Sequence, residues 1–374
     1  MKKVLFVATV AHAHICVFHI PFLKMLKEQG YETYVAAHND YLGDNADIPY
    51  CDYYYDLPFE RSPFKVRNIK AYKELKKLID NNEFDIIHCH TPVGGIIGRL
   101  AARKARKKGT KVMYTAHGFH FYRGAPLKNW LLYYPAEKIC ARMTDVLITI
   151  NREDYALAQK KMKAKRIEYI PGIGVDTSKF SNVTIDKYQK RASINIPQDA
   201  FLLLSVGELN KNKNHETVIR ALASLKDENI HYCIAGRGSL QSYLEELAKK
   251  LGVETQVHML GFRTDIAELL HIADVFVFPS LREGLGLAAV EAMSAALPLI
   301  LSDNRGSRDY AEHGVNALIC NATDVTDFEN SINMLLKDGS ARELMSSNNI
   351  RRALDFDINK VCNKMNNIYA GRET

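Results

Sequence analysis

Apolar runs of strand length alternate with apolar residues at helical spacing along the whole chain. Residues 4–10 form an apolar run that predicts a buried strand, and apolar positions from Phe18 to Leu26 recur at helical spacing until Gly30 ends the helix. Such runs are typical of parallel strands that are covered on both faces. Further strands are predicted at residues 33–37, 85–88, 111–115, 146–150, 201–206, 231–235, 257–260, 275–278 and 297–301.

The alternation of strands and helices restarts near residue 200, which indicates two domains. A chain of 374 residues is also too long for one ordinary core. The predicted fold class is therefore α/β, with two Rossmann-like, doubly wound parallel-sheet domains at residues 1–180 and 195–356. Because ligands of open parallel sheets bind at the carboxyl ends of the strands, we expect the motifs at those ends to line a cleft between the domains.

The segment 279–293 combines two acids, two glycines and a helix start. Glu283 stands just before the predicted helix and Glu291 about two turns into it, so the two carboxylates are expected to address different parts of an extended polar ligand. The alternative is a solvated acid on each side of a plain βα turn. The backbone N–H groups that are expected to hold a phosphate at this helix start belong to Gly284, Leu285, Gly286 and Leu287.

Composition and cysteine usage narrow the class of protein. Hydrophobic residues make up 47% of the chain and charged residues 25%, as in globular proteins. No run approaches the roughly 20 apolar residues of a membrane span, and the first apolar run is interpreted as a core strand because no cleavage site follows it. The seven cysteines are scattered without a C-x-x-C motif, which favours reduced thiols in the cytoplasm over disulfides or a zinc ribbon.

Positive charge is concentrated in the first half of the chain. Residues 1–190 hold 31 Lys and Arg against 19 Asp and Glu, whereas the remainder has a net charge of −5. The excess lies in residues 61–77, 99–111 and 160–166. It is either solvated surface or a patch attracted to an anionic membrane, at about 1 kcal/mol per basic residue. Nucleic acid is not expected as a partner because no stacking motif or nucleic-acid module accompanies the charge.

Five ordered segments resemble one family of enzymes. Glu283 and Glu291 match an E-x7-E motif, and residues 88–95, 114–120, 170–176 and 207–214 match further motifs in the same order. On these segments the chain resembles the retaining nucleotide-sugar glycosyltransferases of the GT-B fold, in glycosyltransferase family four. Within that family it is most similar to bacterial exopolysaccharide and capsule glycosyltransferases. The resemblance covers nearly the whole chain.

The resemblance implies that the second domain binds the donor. Glu291 would accept hydrogen bonds from both ribose hydroxyls, as a carboxylate can, and Glu283 would bind hydroxyls of the donor sugar. Lys213 would lie over the diphosphate and offset the charge that grows as the nucleoside diphosphate leaves. The alternative for Lys213 is one more exposed lysine in a polar turn.

Three more residues are expected to contact the donor, and at one position the chain departs from the family pattern. Gly236 lies in a glycine-bearing turn that either approaches the nucleotide or is a plain turn, and Phe262 and Arg263 would border the base. Many relatives carry an arginine where this chain has Glu208, and an acid cannot bind a diphosphate. Either Lys213, Lys211 and the helix start suffice for the phosphates, or Arg282 or Arg263 contributes. Glu208 is a candidate for orienting Lys213.

The first domain is implied to supply the acceptor side. His117 lies at a predicted strand end and would face the donor sugar, although a lone histidine there is more often structural. His90, Thr91 and Gly94 belong to a strand end and loop that would face the acceptor, and His14 to a loop beneath the diphosphate or the acceptor. The resemblance also implies that the C-terminal helix, residues 357–374, crosses back and completes this domain.

A metal is not expected at the site. His88, His90 and His117 invite a zinc interpretation, but no carboxylate or thiolate set at recurring spacing completes it. The D-x-D pair at residues 355–357 lies near the C-terminal helix and is interpreted as a polar helix start. We therefore predict no obligatory cofactor. The resemblance implies retention of the anomeric configuration, and front-face attack follows because no covalent nucleophile can be assigned.

These features predict transfer of a hexose or N-acetylhexosamine from a nucleotide diphosphate sugar, a UDP-sugar, to a polyprenyl-diphosphate-linked saccharide in exopolysaccharide or capsule synthesis. The enzyme is expected in the cytoplasm, peripheral to the inner face of the membrane. Two alternatives stay open. One is a non-hydrolysing UDP-N-acetylglucosamine epimerase, which the E-x7-E motif disfavours. The other is a non-catalytic sugar-nucleotide-binding subunit, which the intact set of acids and lysine disfavours.

Overall fold

The computed structural model describes residues 1–41, 47–122 and 124–372. The chain divides into two compact units: unit 1 contains Met1–Ile173 and Lys360–Thr374, and unit 2 contains Gly174–Asn359. Each unit holds one parallel sheet with helices connecting its strands, so the predicted α/β class is confirmed. The last two residues of the predicted C-terminal segment 357–374 lie outside the described residues.

Unit 1 is built on a seven-stranded parallel sheet. Its strands are β1 (Lys2–Val10), β2 (Tyr31–His38), β3 (Tyr53–Asp56), β4 (Ile86–His90), β5 (Lys111–Ala116), β6 (Val146–Thr149) and β7 (Arg166–Tyr169). A π-helix (Ala11–Cys16) follows β1 directly. The α-helices are α1 (Ile20–Glu28), α2 (Arg67–Asn81), α3 (Pro92–Ala101), α4 (Arg103–Lys107), α5 (Leu127–Ala141) and α6 (Arg152–Lys161).

The strand order in unit 1 is β3-β2-β1-β4-β5-β6-β7. The central strand β1 pairs with β2 on one side and with β4 on the other, in register Leu5 to Tyr34 and Leu5 to Ile87. The core lies between the sheet and its helices and is formed by fully buried apolar side chains such as Val7 and Leu75. Because the chain order reverses between β1 and β4, the loops after these two strands are the expected ligand position of this sheet.

Unit 2 repeats the plan with six parallel strands. They are β8 (Phe201–Val206), β9 (Ile230–Ala235), β10 (Val257–Gly261), β11 (Val275–Phe278), β12 (Leu299–Ser302) and β13 (Ala317–Cys320). Two short 3-10 helices lie at Ser307–Asp309 and Leu354–Phe356. The α-helices are α7 (Thr177–Ser181), α8 (Lys187–Ser193), α9 (His215–Leu225), α10 (Gln241–Leu251), α11 (Ile266–Ile272), α12 (Leu287–Ser294), α13 (Val325–Lys337) and α14 (Gly339–Ala353).

The strand order in unit 2 is β10-β9-β8-β11-β12-β13, so its chain order reverses between β8 and β11. Three strands were not predicted, namely β3, β7 and β13. All three stand at an edge of their sheet and have four residues each. β3 and β7 are partly exposed and contain charged side chains, so they give no apolar run. β13 is apolar and largely buried, and sequence reasoning overlooked it.

The last helix, α15 (Ile358–Ala370), begins in unit 2 and continues into unit 1. In unit 1 its Tyr369 hydroxyl lies 2.7 Å from Nδ1 of His88, and its Tyr369 carbonyl accepts a hydrogen bond from Lys111 at 2.8 Å. The end of the helix is therefore fixed against β4 and β5. Among the described residues, no helix is both long and apolar enough to cross a bilayer.

Candidate functional site

Two loops of unit 2 meet where its sheet reverses order. The first, residues 207–214, follows β8, and the second, residues 279–286, follows β11. Hydrogen bonds join them: Leu281 N–H donates to the Asn212 carbonyl at 2.8 Å, and the Asn212 amide donates to the Arg282 carbonyl at 2.9 Å. Asn214, which adopts a left-handed conformation (φ 55°), donates to the Pro279 carbonyl at 3.1 Å. These contacts position the side chains between the loops.

Lys213 and Glu283 form an ion pair between these loops. The Lys213 ammonium lies 2.7 Å from the Glu283 carboxylate and 4.5 Å from the centre of the Phe278 ring. The two side chains are only 19% and 13% exposed, so solvent screens the pair weakly. A cation and a hydroxyl-accepting carboxylate therefore stand together at the carboxyl ends of β8 and β11, where sheets of this order bind ligands.

The start of α12 completes this side of the site. Gly286 has φ 93°, and an added Cβ would lie 2.8 Å from the Phe278 ring, so a side chain is excluded there. The helix begins at Leu287, which places Glu291 little more than one turn into it. The sequence predicts Glu291 about two turns into this helix. That prediction is wrong, because Gly286 adopts a left-handed conformation and the helix begins only after it. Gly284 and Leu285 lie in the preceding turn.

Burial raises the pKa of Glu291, and the charge of Lys179 lowers it in part. Lys179 belongs to α7, which packs against α12. An ionised carboxylate in this half-buried position gains from a ligand that donates hydrogen bonds, because such bonds replace the lost water. A vicinal diol would supply two of them.

The turn at Gly236 is set by backbone packing. An added Cβ at Gly236 would lie 1.8 Å from the Gly207 carbonyl oxygen, and one at Gly238 would lie 2.3 Å from the Leu209 carbonyl oxygen. The glycines therefore let the end of β9 press against the loop after β8. Arg237, between them, lies 5.9 Å from the Phe262 ring, which is 67% exposed.

Arg263 is engaged by a neighbouring acid. Its guanidinium contacts the Asp265 carboxylate with Nε at 2.8 Å from Oδ1, and Lys190 approaches the same carboxylate. The hydrogen bond from Arg263 is the main cause that holds the pKa of Asp265 far below its usual range. To border a nucleotide base, Arg263 would have to break its ion pair with Asp265. The exposed Phe262 ring could border a base without any such change.

Unit 1 brings four histidines together. His14 lies in the π-helix, His19 just before α1, His90 at the end of β4 and His117 just after β5. Each offers a ring nitrogen, and these nitrogens all lie within 4.8 Å of one another. The Nε2 atoms of His14 and His19 are 3.3 Å apart, and the rings of His19 and His90 have centres 3.8 Å apart. The structure thus joins His14, His90 and His117, which were predicted, to His19, which was not.

Burial disfavours the charged form of all four imidazoles. Burial lowers the pKa of His14, His19 and His90 well below the ordinary value, and charge on neighbouring histidines lowers them further. Burial lowers the pKa of His117 to about 4. Uncharged rings can pack closely, and each keeps one nitrogen lone pair for a proton donor or a metal ion.

Thr91 and Gly94 fix the start of α3 against β1. Thr91 has φ 60°, and its hydroxyl lies 2.7 Å from the Thr9 hydroxyl and donates to the His90 carbonyl at 2.6 Å. An added Cβ at Gly94 would lie 2.8 Å from the Thr91 hydroxyl and 3.0 Å from the carbonyl carbon of Ala8. These contacts explain both residues by packing, and their acceptor-side role stays a prediction.

Comparisons with known proteins decide the family. A family model described as glycosyl transferase 4-like matches residues 3–151, and one described as glycosyl transferases group 1 matches residues 186–352. EpsD of Bacillus subtilis (strain 168), whose name assigns it provisionally to the glycosyltransferases, is 43% identical over 99% of this chain and 96% of its own. The chain belongs to glycosyltransferase family four. It is an enzyme of the hexosyltransferase class and of the type found in bacterial exopolysaccharide or lipid-linked saccharide synthesis.

Other matches agree with this family-four glycosyltransferase. An Escherichia coli enzyme named UDP-Gal:alpha-D-GlcNAc-diphosphoundecaprenol alpha-1,3-galactosyltransferase is 30% identical over 82% of both chains. The structure of Anabaena Alr3699/HepE in complex with UDP and glucose superposes with a TM-score of 0.81 at 20% identity, covering 99% of this chain and 100% of that one. The predicted GT-B fold is confirmed.

Glu208, which replaces the usual arginine, does not touch Lys213 in the glycosyltransferase. Its carboxylate accepts a hydrogen bond from the Asn210 amide at 2.8 Å, and Asn210 in turn accepts one from the Lys213 backbone N–H at 3.0 Å. The Lys213 ammonium is held by Glu283 instead. The proposed orientation of Lys213 by Glu208 can therefore act only through the loop backbone.

Sequence reasoning missed a second support of Glu283. After β12, Arg305 donates to the Glu283 carbonyl at 3.2 Å, and an added Cβ at Gly306 would lie 3.0 Å from the Glu283 side chain. The buried Tyr310 hydroxyl has no hydrogen-bond partner in the described part of the chain, and burial, with the Glu283 charge, raises its pKa. The polar run that follows the apolar strand β12 is the sequence signal that could have identified this support of Glu283.

One of the basic residues is not on the surface of the glycosyltransferase. Arg99, counted in the basic segment 99–111, is fully buried and pairs with Glu137 at 2.8 Å. Its guanidinium also stacks 3.9 Å from the centre of the Tyr114 ring. The exposed charge of this segment starts only at Arg103, the first residue of α4.

Proposed function

We propose that this glycosyltransferase retains the anomeric configuration and moves a hexose or N-acetylhexosamine from a UDP-sugar to a lipid-linked saccharide in exopolysaccharide or capsule synthesis. The observation that carries the proposal is the Lys213–Glu283 pair at the order reversal of the sheet in unit 2. The cation suits a diphosphate and the carboxylate suits a sugar hydroxyl. The pair therefore fits the junction between the two halves of a nucleotide sugar.

Residues beside the Lys213–Glu283 pair support a nucleoside diphosphate as the other half of the donor. The N-terminus of α12 offers backbone N–H groups and the positive end of a helix dipole to a phosphate. Glu291, one turn later, suits the ribose diol. Alr3699/HepE has been solved with UDP-glucose, and the E. coli relative is named for UDP-Gal, so we propose uracil as the base of the donor.

One surface of unit 1 combines exposed apolar side chains with basic residues, as expected for an enzyme that acts on a lipid-linked acceptor. Phe64, Val66 and Ile69 are 74%, 78% and 58% exposed at the start of α2, among basic residues that include Lys65 and Lys70. Exposed apolar side chains among cations are typical of proteins that bind an anionic membrane interface. The E. coli relative is named for a diphosphoundecaprenol-linked acceptor. We propose peripheral binding to the inner face of the cytoplasmic membrane.

In the proposed reaction, the bond between the anomeric carbon and the diphosphate breaks while the acceptor oxygen bonds to the same face of the sugar. The acceptor hydroxyl proton passes to the departing phosphate oxygen. Lys213 and the start of α12 stabilise the charge that grows on the diphosphate, and Glu283 orients the sugar through its hydroxyls. The contact of His117 with the donor sugar stays a prediction from the family resemblance.

The test is mass spectrometry of reactions with UDP- and GDP-sugars, each with and without a polyprenyl-diphosphate-linked sugar. Wild type should add one sugar to the acceptor from a UDP-sugar, Glu283→Gln should not, and NMR of the product should show the anomeric configuration of the donor. An inverted product would refute retention. Isomerised donor in the absence of acceptor would establish the epimerase instead.

A further inference from the structure

The four histidines of unit 1 converge on one point. His14, His19, His90 and His117 come from three segments that the sheet brings together: the end of β1 with the turn that follows, the end of β4 and the end of β5. The first three are at most 8% exposed. The reaction proposed above assigns a role to His117 alone, and the acceptor-side roles of His14 and His90 stay predictions. The convergence of the other three therefore needs a separate explanation.

Hydrogen bonding explains only part of the convergence, since Nε2 of His14 and Nε2 of His19 are 3.3 Å apart and form a hydrogen bond. Within the described residues, both ring nitrogens of His90, Nδ1 of His19 and Nε2 of His117 are buried without a hydrogen-bond partner. A buried polar atom without a partner is unfavourable, and native structures avoid it. Because a neutral imidazole has one lone pair, a ligand that accepts lone pairs would give a partner to one nitrogen of each ring, and the cluster indicates such a ligand.

The spacing suits a metal ion. Zinc bonds to imidazole nitrogen at 2.0–2.1 Å, so neighbouring ligands of a tetrahedral site lie about 3.3 Å apart. The Nε2 atoms of His14 and His19 are already 3.3 Å apart, and the whole set lies within 4.8 Å. Closing the site therefore requires the nitrogens of the widest pair to approach by roughly 1.5 Å.

We propose that His14, His19, His90 and His117 bind one divalent transition-metal ion of the Zn²⁺ class. All four ligands are imidazole nitrogens, which suit Zn²⁺, Co²⁺, Ni²⁺ and Cu²⁺. The set contains no carboxylate among the described residues, and Mg²⁺ and Ca²⁺ prefer oxygen ligands, so these ions are not expected to bind. The ion joins the ends of β1, β4 and β5 and stabilises unit 1.

This set differs from the one that the sequence suggested. His88, which forms an H-x-H pair with His90, bonds at Nδ1 to the Tyr369 hydroxyl (2.7 Å) and at Nε2 to the Thr115 hydroxyl (2.8 Å), so it offers no free nitrogen. His14 and His19 take its place. No regular spacing links them to His90 or His117. The sequence disfavoured zinc for a different reason, namely that no carboxylate or thiolate set at recurring spacing completes the histidines.

The metal site does not depend on the proposed transfer, but it shares His117 with it. A ring nitrogen that binds an ion cannot bond to a sugar hydroxyl at the same time. If the predicted contact of His117 with the donor sugar uses the nitrogen that binds the ion, the ion should inhibit transfer. This consequence alone rests on the proposed function, and binding itself is measured without substrates.

The test is titration of Co²⁺ into the chelator-treated full-length protein, followed by visible absorption, which is intense for tetrahedral Co²⁺. We expect the bands to saturate at one Co²⁺ per chain, to disappear when Zn²⁺ is added and to be unaffected by Mg²⁺. His19→Gln should weaken binding by about tenfold or more. His258→Gln, which alters the His231–His258 pair of unit 2 (2.9 Å), is the matched control and should leave binding unchanged.

Absence of tetrahedral bands at one equivalent in folded wild-type protein would overturn the proposal, as would equal affinity in a folded His19→Gln variant. If His19→Gln does not fold, X-ray absorption of the wild-type zinc complex decides, since a first shell of four nitrogens is expected and one with sulfur or mostly oxygen refutes the site. Zinc binding without inhibition of transfer would refute only the use of one His117 nitrogen by both the ion and the donor sugar.

Discussion

Replacing Lys213 by methionine tests the candidate donor site. The change removes the ammonium but keeps most of the apolar stem over the Phe278 ring. It leaves the Glu283 carboxylate, which is 13% exposed, without the cation that now lies 2.7 Å away. The expected consequences are a slower reaction and a smaller loss of stability, and each has its own magnitude.

The effect on rate follows from the charge on the leaving diphosphate. Removing one group that stabilises a developing anion costs about 2.7–4 kcal/mol, which lowers kcat by roughly 100- to 1000-fold. The low exposure of Lys213 places the effect in this range because solvent cannot replace the charge. The lost charged hydrogen bond contributes about 2 kcal/mol to stability, or a Tm decrease of roughly 4–8 °C.

The assay is single-turnover transfer, followed by mass spectrometry, together with a thermal melt. Lys249→Met, an exposed lysine on α10, is the matched control and should keep both kcat and Tm. A kcat within about threefold of wild type in folded Lys213→Met would refute the role of the ammonium, because that change corresponds to less than 1 kcal/mol.

Three further changes test other parts of the structure. Gly236→Ala places a Cβ 1.8 Å from a backbone oxygen and should destabilise the protein by about 3 kcal/mol in urea unfolding, whereas Gly339→Ala, whose Cβ would meet only the Arg342 guanidinium at 3.5 Å, should not; equal stability would refute the packing argument. Glu291→Gln should weaken UDP binding about 10- to 100-fold by calorimetry. Burial raises the pKa of Glu291 in the folded state, so the ionised carboxylate destabilises the fold above that pKa. Glu291→Gln should therefore raise Tm at pH 7, and this gain should vanish as the pH falls below the pKa of Glu291 in the unfolded chain. Val66→Asp should reduce sedimentation with anionic vesicles, and Leu344→Asp, an exposed leucine of unit 2, should not; equal loss would contradict a specific membrane surface.

The sequence alone determined the central strands and the order of the motifs. Residues 201–206 and 275–278 were predicted with the bounds that the structure shows, because central parallel strands are buried on both faces and read as unbroken apolar runs. The edge strands β3 and β7 were not predicted, since they are partly exposed and contain charged side chains, whereas the apolar edge strand β13 was overlooked. The E-x7-E motif identified Glu283 and Glu291, but not the delayed start of α12.

Only the tertiary structure decided which side chains meet. Lys213 and Glu283 are separated by 70 positions, and they touch because β8 and β11 are neighbours in the sheet. His19 joins His90 for the same reason, since β1 lies beside β4. A local pattern of hydrophobic positions specifies a strand, whereas the order of strands depends on packing across the whole domain, and distant residues become neighbours only through that order.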